Sequence, residues 1–119
     1  MRTIDCLPDC IDAISDFIIK LNKEQRDISK ILIVSNCLQT HNYVKPIFED
    51  NLKFHIKLPK EITCMYQHSE CRNLMHSAPK NIIINYNVIL FIENDEAVMV
   101  VKNRYGPNGS LGFNGEIYE

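Results

Sequence analysis

Apolar residues recur at Ile11, Ile14, Phe17, Ile18 and Leu21, with polar Asp12, Ser15, Asp16 and Lys20 between them. That spacing of three and four lines one face of a helix and predicts a helix over 9–24, with Asp9 as its N-cap. Ahead of it, residues 3–7 form a short strand-like apolar run, closed by Pro8 and Asp9. Ile31, Leu32, Ile33 and Val34 are apolar at every position and too few for a helix, which predicts a strand buried on both faces, usually a parallel one. The opening unit is therefore strand, helix, strand.

The stretch 37–81 is less regular. Phe54, Ile56 and Leu58 alternate with Lys53, His55 and Lys57 as in a half-exposed strand, and 62–75 is compatible with a helix that stops ahead of Pro79. From 82 to 92 the chain is apolar and β-branched, Glu93 to Glu96 make a polar turn, and 97–101 is a second strand, which together predict a hairpin. A turn at 106–109 then leads into a last antiparallel strand over 111–118, with Leu111, Phe113 and Ile117 apolar. The pattern is α/β, with no repeat, linker or low-complexity tract.

Length adds that 119 residues make one domain, 1–119, large enough to bury roughly two thirds of its unfolded surface. Charge adds that 13 Lys and Arg against 15 Asp and Glu exclude a general attraction to polyanions, so contact with nucleic acid or nucleotide must come from a local cluster. No apolar run approaches the roughly 20 residues of a membrane helix, and the N-terminus has no apolar signal core, so no membrane role and a cytoplasmic location are expected. The five cysteines, Cys6, Cys10, Cys37, Cys64 and Cys71, cannot all pair and are expected as reduced thiols.

The most pointed local chemistry is "VVKNRYGPNG" at 100–109, where two cations sit at the end of an apolar strand and run into a Gly/Pro turn. Strand alternation sends Lys102 and Arg104 to one side, with Val101, Asn103 and Tyr105 on the other. Such a pair either keeps a strand edge from pairing or meets an anion. Gly106 and Gly109 supply turn conformations. Cys64, His68, Cys71 and His76 carry zinc-type donors, but the first three follow the spacing of one helical face rather than of paired knuckles, so a metal site is not expected. A Cys–His nucleophile lacks a third, orienting group. Asp9, Asp12 and Asp16 fit the first turn and solvated side of the first helix.

On these residues the end of the chain resembles the C-terminal half of a RecA-type ATPase core, as in RecA and RadA recombination proteins and DnaB-type replicative helicases. The segment "NVILFIENDEAVMVVKNRYGPNGSLGFNGEIY" is similar to that family's order of strand, acidic turn, strand ending in Lys-x-Arg, Gly/Pro turn and final strand. "ILIVSN" resembles its strand ending in a polar sensor residue, and "TIDCL" looks like the tail of a Walker B strand. No G-x-x-x-x-G-K-[ST] loop occurs in these 119 residues, so the resemblance begins at the Walker B strand.

The resemblance implies a partial RecA-like P-loop core, with a central, mostly parallel sheet and antiparallel hairpin strands at its C-terminal edge. It implies that Lys102 and Arg104 act in trans on a phosphate held by a neighbour, that Asp5 is a magnesium-shell relic or ligand, and that Ser35 and Asn36 sense nucleotide. ATP and magnesium are then expected only where a partner subunit completes the site, and the chain is not expected to be an ATPase by itself. The partner would be a RecA-like or helicase ATPase, or a second copy, in DNA recombination or replication, and docking into such a ring to block or stimulate it fits the same residues. Lys57, Lys60, Arg72 and Lys80 would make weak DNA contacts. The competing expectation is an interaction module without nucleotide chemistry, for example a viral protein in a host cell.

Overall fold

Helix α1 spans Leu7–Lys23, and the computed structural model describes residue 4 and residues 6–54, 63–67 and 84–118, with the side chains of 39–41 excepted. The helix begins two residues before the expected Asp9: Cys6 holds the extended N-cap position and Pro8 lies in the first turn, where its missing N–H costs nothing. Asp9 is therefore a buried first-turn residue rather than the cap or part of a solvated face. Leu7 and Ile4 pack against the core from α1's side, and neither belongs to a strand, so the strand expected over 3–7 does not form in its described residues. At the other end Gln25 adopts φ 62°. The Arg26 N–H then bonds to the Leu21 carbonyl at 2.9 Å and the Gln25 N–H to that of Asn22 at 3.0 Å, which closes the helix with a Schellman motif.

Six strands follow in one sheet ordered β2-β1-β3-β4-β5-β6. Strand β1, Ile31–Ser35, is buried throughout, as its unbroken apolar run requires, and pairs in parallel with both β2, Thr63–Tyr66, and β3, Val88–Glu93. Strands β4, Ala97–Asn103, β5, Gly109–Leu111, and β6, Ile117–Tyr118, add antiparallel pairings in sequence. Two parallel pairings against three antiparallel ones correct the expectation of a mostly parallel sheet. The connections after β3, β4 and β5 are too short for a crossover, so each strand must turn back on the last.

The hairpin expected around 93–96 is present: Asn94 and Asp95 both have positive φ, at 53° and 59°, and join β3 to β4 tightly, but its first strand begins only at Val88, and residues 84–87 of the run expected over 82–92 belong to no strand. The single last strand expected over 111–118 is instead two strands broken at 112–116. There the Gly112 N–H bonds to the Glu116 carbonyl at 2.7 Å, and Gly115 takes φ 79° with its Cα against α1. A Cβ on Gly115 would lie 3.1 Å from the Phe17 nitrogen, so glycine sets the closeness of this approach.

Helix α2, Leu38–Leu52, has no counterpart among the expected elements. Pro46 inside it argues against a helix, yet Val44, Phe48 and Leu52, spaced by four, form its buried stripe. The helix expected over 62–75 is overturned where it is described, because Thr63–Tyr66 is strand β2; 68–75 lies outside the described residues. Lys53 and Phe54 are in the turn after α2, which overturns the strand expected there at its first two residues, and residues 55–58 are also outside them.

Both helices cover one face of the sheet. Ile14, Phe17, Ile18 and Leu21 of α1 and the α2 stripe pack on Ile31, Ile33, Val88, Leu90, Ile92, Val98 and Val100. The opposite face carries Leu32, Val34, Ile89 and Phe91, with Met65, Tyr86, Met99 and Val101 around them. Among the described residues, no helix is long and apolar enough to cross a membrane. Because Phe48 is fully buried and Phe54 is 81% exposed, Phe48→Ala is expected to cost about 3–5 kcal/mol in urea unfolding. Phe54→Ala should stay within about 0.5 kcal/mol of the parent chain.

Candidate functional site

The register between β3 and β4 decides where Lys102 goes. Leu90 faces Val100, but the next partner of Ile89 is Lys102, so Val101 is an extra, bulged residue. Without that bulge, Lys102 would follow Val98 and Val100 into the helix-covered core. With it, Lys102 lies across from Ile89 on the other face, half-buried, and Val101 joins the cluster on that same face instead of pointing away from Lys102 as alternation predicts. Asn103 faces Val88, and Tyr105 packs on the α1 side.

Arg104 is exposed, just past the strand end. Its N–H donates to the Asn87 carbonyl at 2.9 Å and its guanidinium to Asn87 Oδ1 at 3.5 Å. The turn that follows is built by Asn103, whose Nδ2 donates to the Pro107 carbonyl at 2.9 Å and whose Oδ1 accepts the Tyr105 N–H at 3.0 Å. Asparagine between the two cations thus ties the Gly/Pro loop to the strand that carries them.

Three groups that sequence reasoning does not single out converge on the same corner. The Asn87 N–H donates to the Lys30 carbonyl at 2.8 Å, and its Nδ2 donates to the Tyr105 hydroxyl at 2.9 Å. That hydroxyl donates to the Asp27 carbonyl at 3.1 Å, and the Arg26 guanidinium lies 5.3 Å from the centre of the Tyr105 ring, in cation–π range. Arg26 and Lys30 are more than 70 positions before Arg104, and nothing local in the sequence links them.

Ser35 and Asn36 sit elsewhere. They end β1 beside Ile92, whereas Lys102 and Arg104 lie at the Val88 end of β3, four residues or about 13 Å away along the strands. The Asn36 Nδ2 donates to Asn94 Oδ1 at 3.1 Å and its Oδ1 accepts the Asn94 N–H at 2.8 Å, so this side chain clamps the β3–β4 turn. Ser35 is buried, and its hydroxyl accepts the Cys37 N–H at 3.3 Å. The structure therefore does not bring the two sensor candidates together with the two cations. Asp5, Lys57, Lys60, Arg72 and Lys80 lie outside the described residues.

Three of the thiols, Cys10, Cys37 and Cys64, have raised pKa values. Burial, with Asp95 adding to it, pushes Cys10 up to about 12, and its Sγ donates to the Asp95 carbonyl at 3.6 Å. Burial and then Asp95 also raise Cys37, and burial pushes Cys64 up to about 11 against the opposing charge of Lys45. These are not activated nucleophiles. Cys64 is on strand β2, so it does not share a helical face with His68 and Cys71, which with His76 are outside the described residues. Among the described residues no group of three or more His, Cys, Asp or Glu side chains is placed to hold a metal ion. A cavity of about 160 Å³ lies between α1 and the C-terminal turns, lined by Leu21, Tyr105, Pro107 and Ile117, and is smaller than the roughly 300 Å³ at which ligand pockets begin.

Asn36→Ala is expected to cost about 1–2 kcal/mol and to speed hydrogen exchange of the Asn94 amide, measured by NMR. Cys10 supplies a pH test: its folded value is raised, so its contribution is complete below pH 9 and is lost as pH climbs from 9 towards about 12, where the unfolded thiol ionises first. Unfolding midpoints should thus fall less steeply above pH 9 in Cys10→Ala than in the parent chain. No family model, no curated protein and no solved structure matches this chain.

Proposed function

We propose that this chain is a P-loop-deficient, RecA-like half-core that works beside a partner ATPase in DNA recombination or replication, presenting Lys102 and Arg104 to a phosphate the partner holds. The observation that carries this is the bulge at Val101, which keeps Lys102 out of the helix-covered core and leaves it two residues from an exposed Arg104 at the end of β4. A pair serving only to blunt a sheet edge needs no such register change, since any exposed position would do. The order of buried strand, polar turn, cation-bearing strand and Gly/Pro loop also accords with the family's order at its C-terminal end.

In this role Arg104 offers a fork for two phosphate oxygens and Lys102 a point charge. Both act when negative charge builds up on the transferred phosphoryl group. ATP and magnesium belong to the partner's site. The separation of Asn36 from the cations fits a division of labour, with Asn36 fixing the β3–β4 hairpin that carries them. A second reading, a binding module without nucleotide chemistry, is favoured by Tyr43, Ile47 and Phe54, large apolar side chains left exposed on and after α2.

Turnover of a RecA-type or DnaB-type ATPase, measured with and without this protein, separates the two. Addition of the parent chain is expected to change the rate by about tenfold or more, and Lys102→Ala with Arg104→Ala to abolish the effect. Equal rates with both proteins would leave the binding-module reading.

A further inference from the structure

We infer that Arg26, Lys30 and Arg104, gathered around Asn87 and Tyr105, form a phosphate-binding corner for the polyphosphate chain of a nucleoside triphosphate. The nature of its occupant rests on the function proposed above; the corner itself rests on the contacts just described. Asn87 is the hub. Its backbone joins the Lys30 carbonyl at 2.8 Å to the Arg104 N–H at 2.9 Å, and its side chain touches the Arg104 guanidinium at 3.5 Å and the Tyr105 hydroxyl at 2.9 Å. Arg26 then lies 5.3 Å from the centre of the Tyr105 ring. Two guanidinium groups from distant parts of the chain are thereby held on one asparagine–tyrosine unit, the exposed Lys30 is tied to it through its backbone carbonyl, and Lys102 is two residues further along, across from Ile89.

Like charges are not brought together in this way for stability, because each adds repulsion at close range. Among the described residues, ion pairs join Lys20 to Glu116 and Lys53 to Asp50, and none joins Arg26, Lys30 or Arg104 to a carboxylate. Asp27, the acid beside them, is already engaged: Ser29 donates to its Oδ1 from both N–H, at 2.9 Å, and hydroxyl, at 2.5 Å. These bonds, with a smaller contribution from Lys30, hold its carboxyl below the usual range. The corner thus keeps a local positive excess in a chain whose net charge is -2.

The cluster favours a compact polyphosphate over a nucleic-acid strand. A strand is gripped by a track of cations with open aromatic faces for the bases. Here two guanidinium groups are held by one asparagine–tyrosine pair, and Tyr105 is half-buried, with Arg26 over its ring and its hydroxyl bonded on both sides. What the corner offers is guanidinium forks and an ammonium, which suit phosphate oxygens.

The test is calorimetric titration of the whole chain with sodium tripolyphosphate at about 50 mM salt, where phosphate contacts are least screened. Saturable binding is expected, weakened about tenfold by Arg26→Gln and likewise by Arg104→Gln, with Lys53→Gln unchanged. Unfolding midpoints of the variants show whether each is folded, and Arg26→Lys, which keeps the charge on the same stem, should recover part of the affinity. No saturable binding by the parent chain, or equal weakening by Lys53→Gln, overturns the inference. Tighter binding of oligothymidine that is lost in the same variants also overturns it, in favour of a nucleic-acid strand. Because no ATPase is present, tripolyphosphate binding without any effect on a partner's turnover would reject the partner role alone.

Discussion

Strand β3 is the member on which both halves of the sheet depend. It pairs in parallel with β1 on one side and antiparallel with β4 on the other, and Val88, Ile89, Leu90, Phe91 and Ile92 are all buried. Each of its faces supports a different cluster: Val88, Leu90 and Ile92 meet the helices, while Ile89 and Phe91 meet the opposite apolar layer. A slip of one residue would exchange these two sets, so the register of β3 is strongly specified. The bulge in β4 is read against that fixed register and could not redirect Lys102 if β3 were free to shift.

The two ends of β3 are then assigned different chemistry. At its carboxyl end, polar groups saturate one another: Asn36 with Asn94, the Ser35 hydroxyl with the Cys37 backbone, the Cys10 thiol with the Asp95 carbonyl. Such mutual satisfaction makes a rigid joint rather than a receptor. At its amino end, the hydrogen bonds of Asn87 use backbone carbonyls and a phenol, which anchor the basic residues without neutralising them. Pairing those residues with carboxylates would have fixed them as well, but would have cancelled the field.

Much of the scaffold is legible in the sequence because it is written in local periodicity. The face of α1, the all-apolar β1 and the β3–β4 hairpin each follow from spacing and turn residues within one segment. Helix α2 is not legible because Pro46 outweighs a stripe of only three apolar positions, and its outward residues Tyr43 and Ile47 blur the contrast between its faces. The break at 112–116 escapes because it depends on Gly115 meeting α1, a contact between segments nearly 100 positions apart. The site divides the same way. Lys102 and Arg104 stand out as neighbours in the chain, whereas Arg26 and Lys30 reach the same corner only through Asn87 and Tyr105. The bulge itself leaves no trace in composition, since a valine among valines marks nothing.

Pro46 also shapes how α2 behaves. A proline at that position withholds the donor that the Asn42 carbonyl would otherwise receive four residues on, so the ladder of the helix lacks one rung near its middle. Beyond the gap, Phe48 and Leu52 pin the second half to the sheet; before it, Val44 is the one fully buried anchor among the described side chains. The packing of Val44 on one side of the missing rung and of Phe48 and Leu52 on the other therefore has to carry the helix across it, so α2 owes its continuity to the sheet beneath rather than to its own ladder.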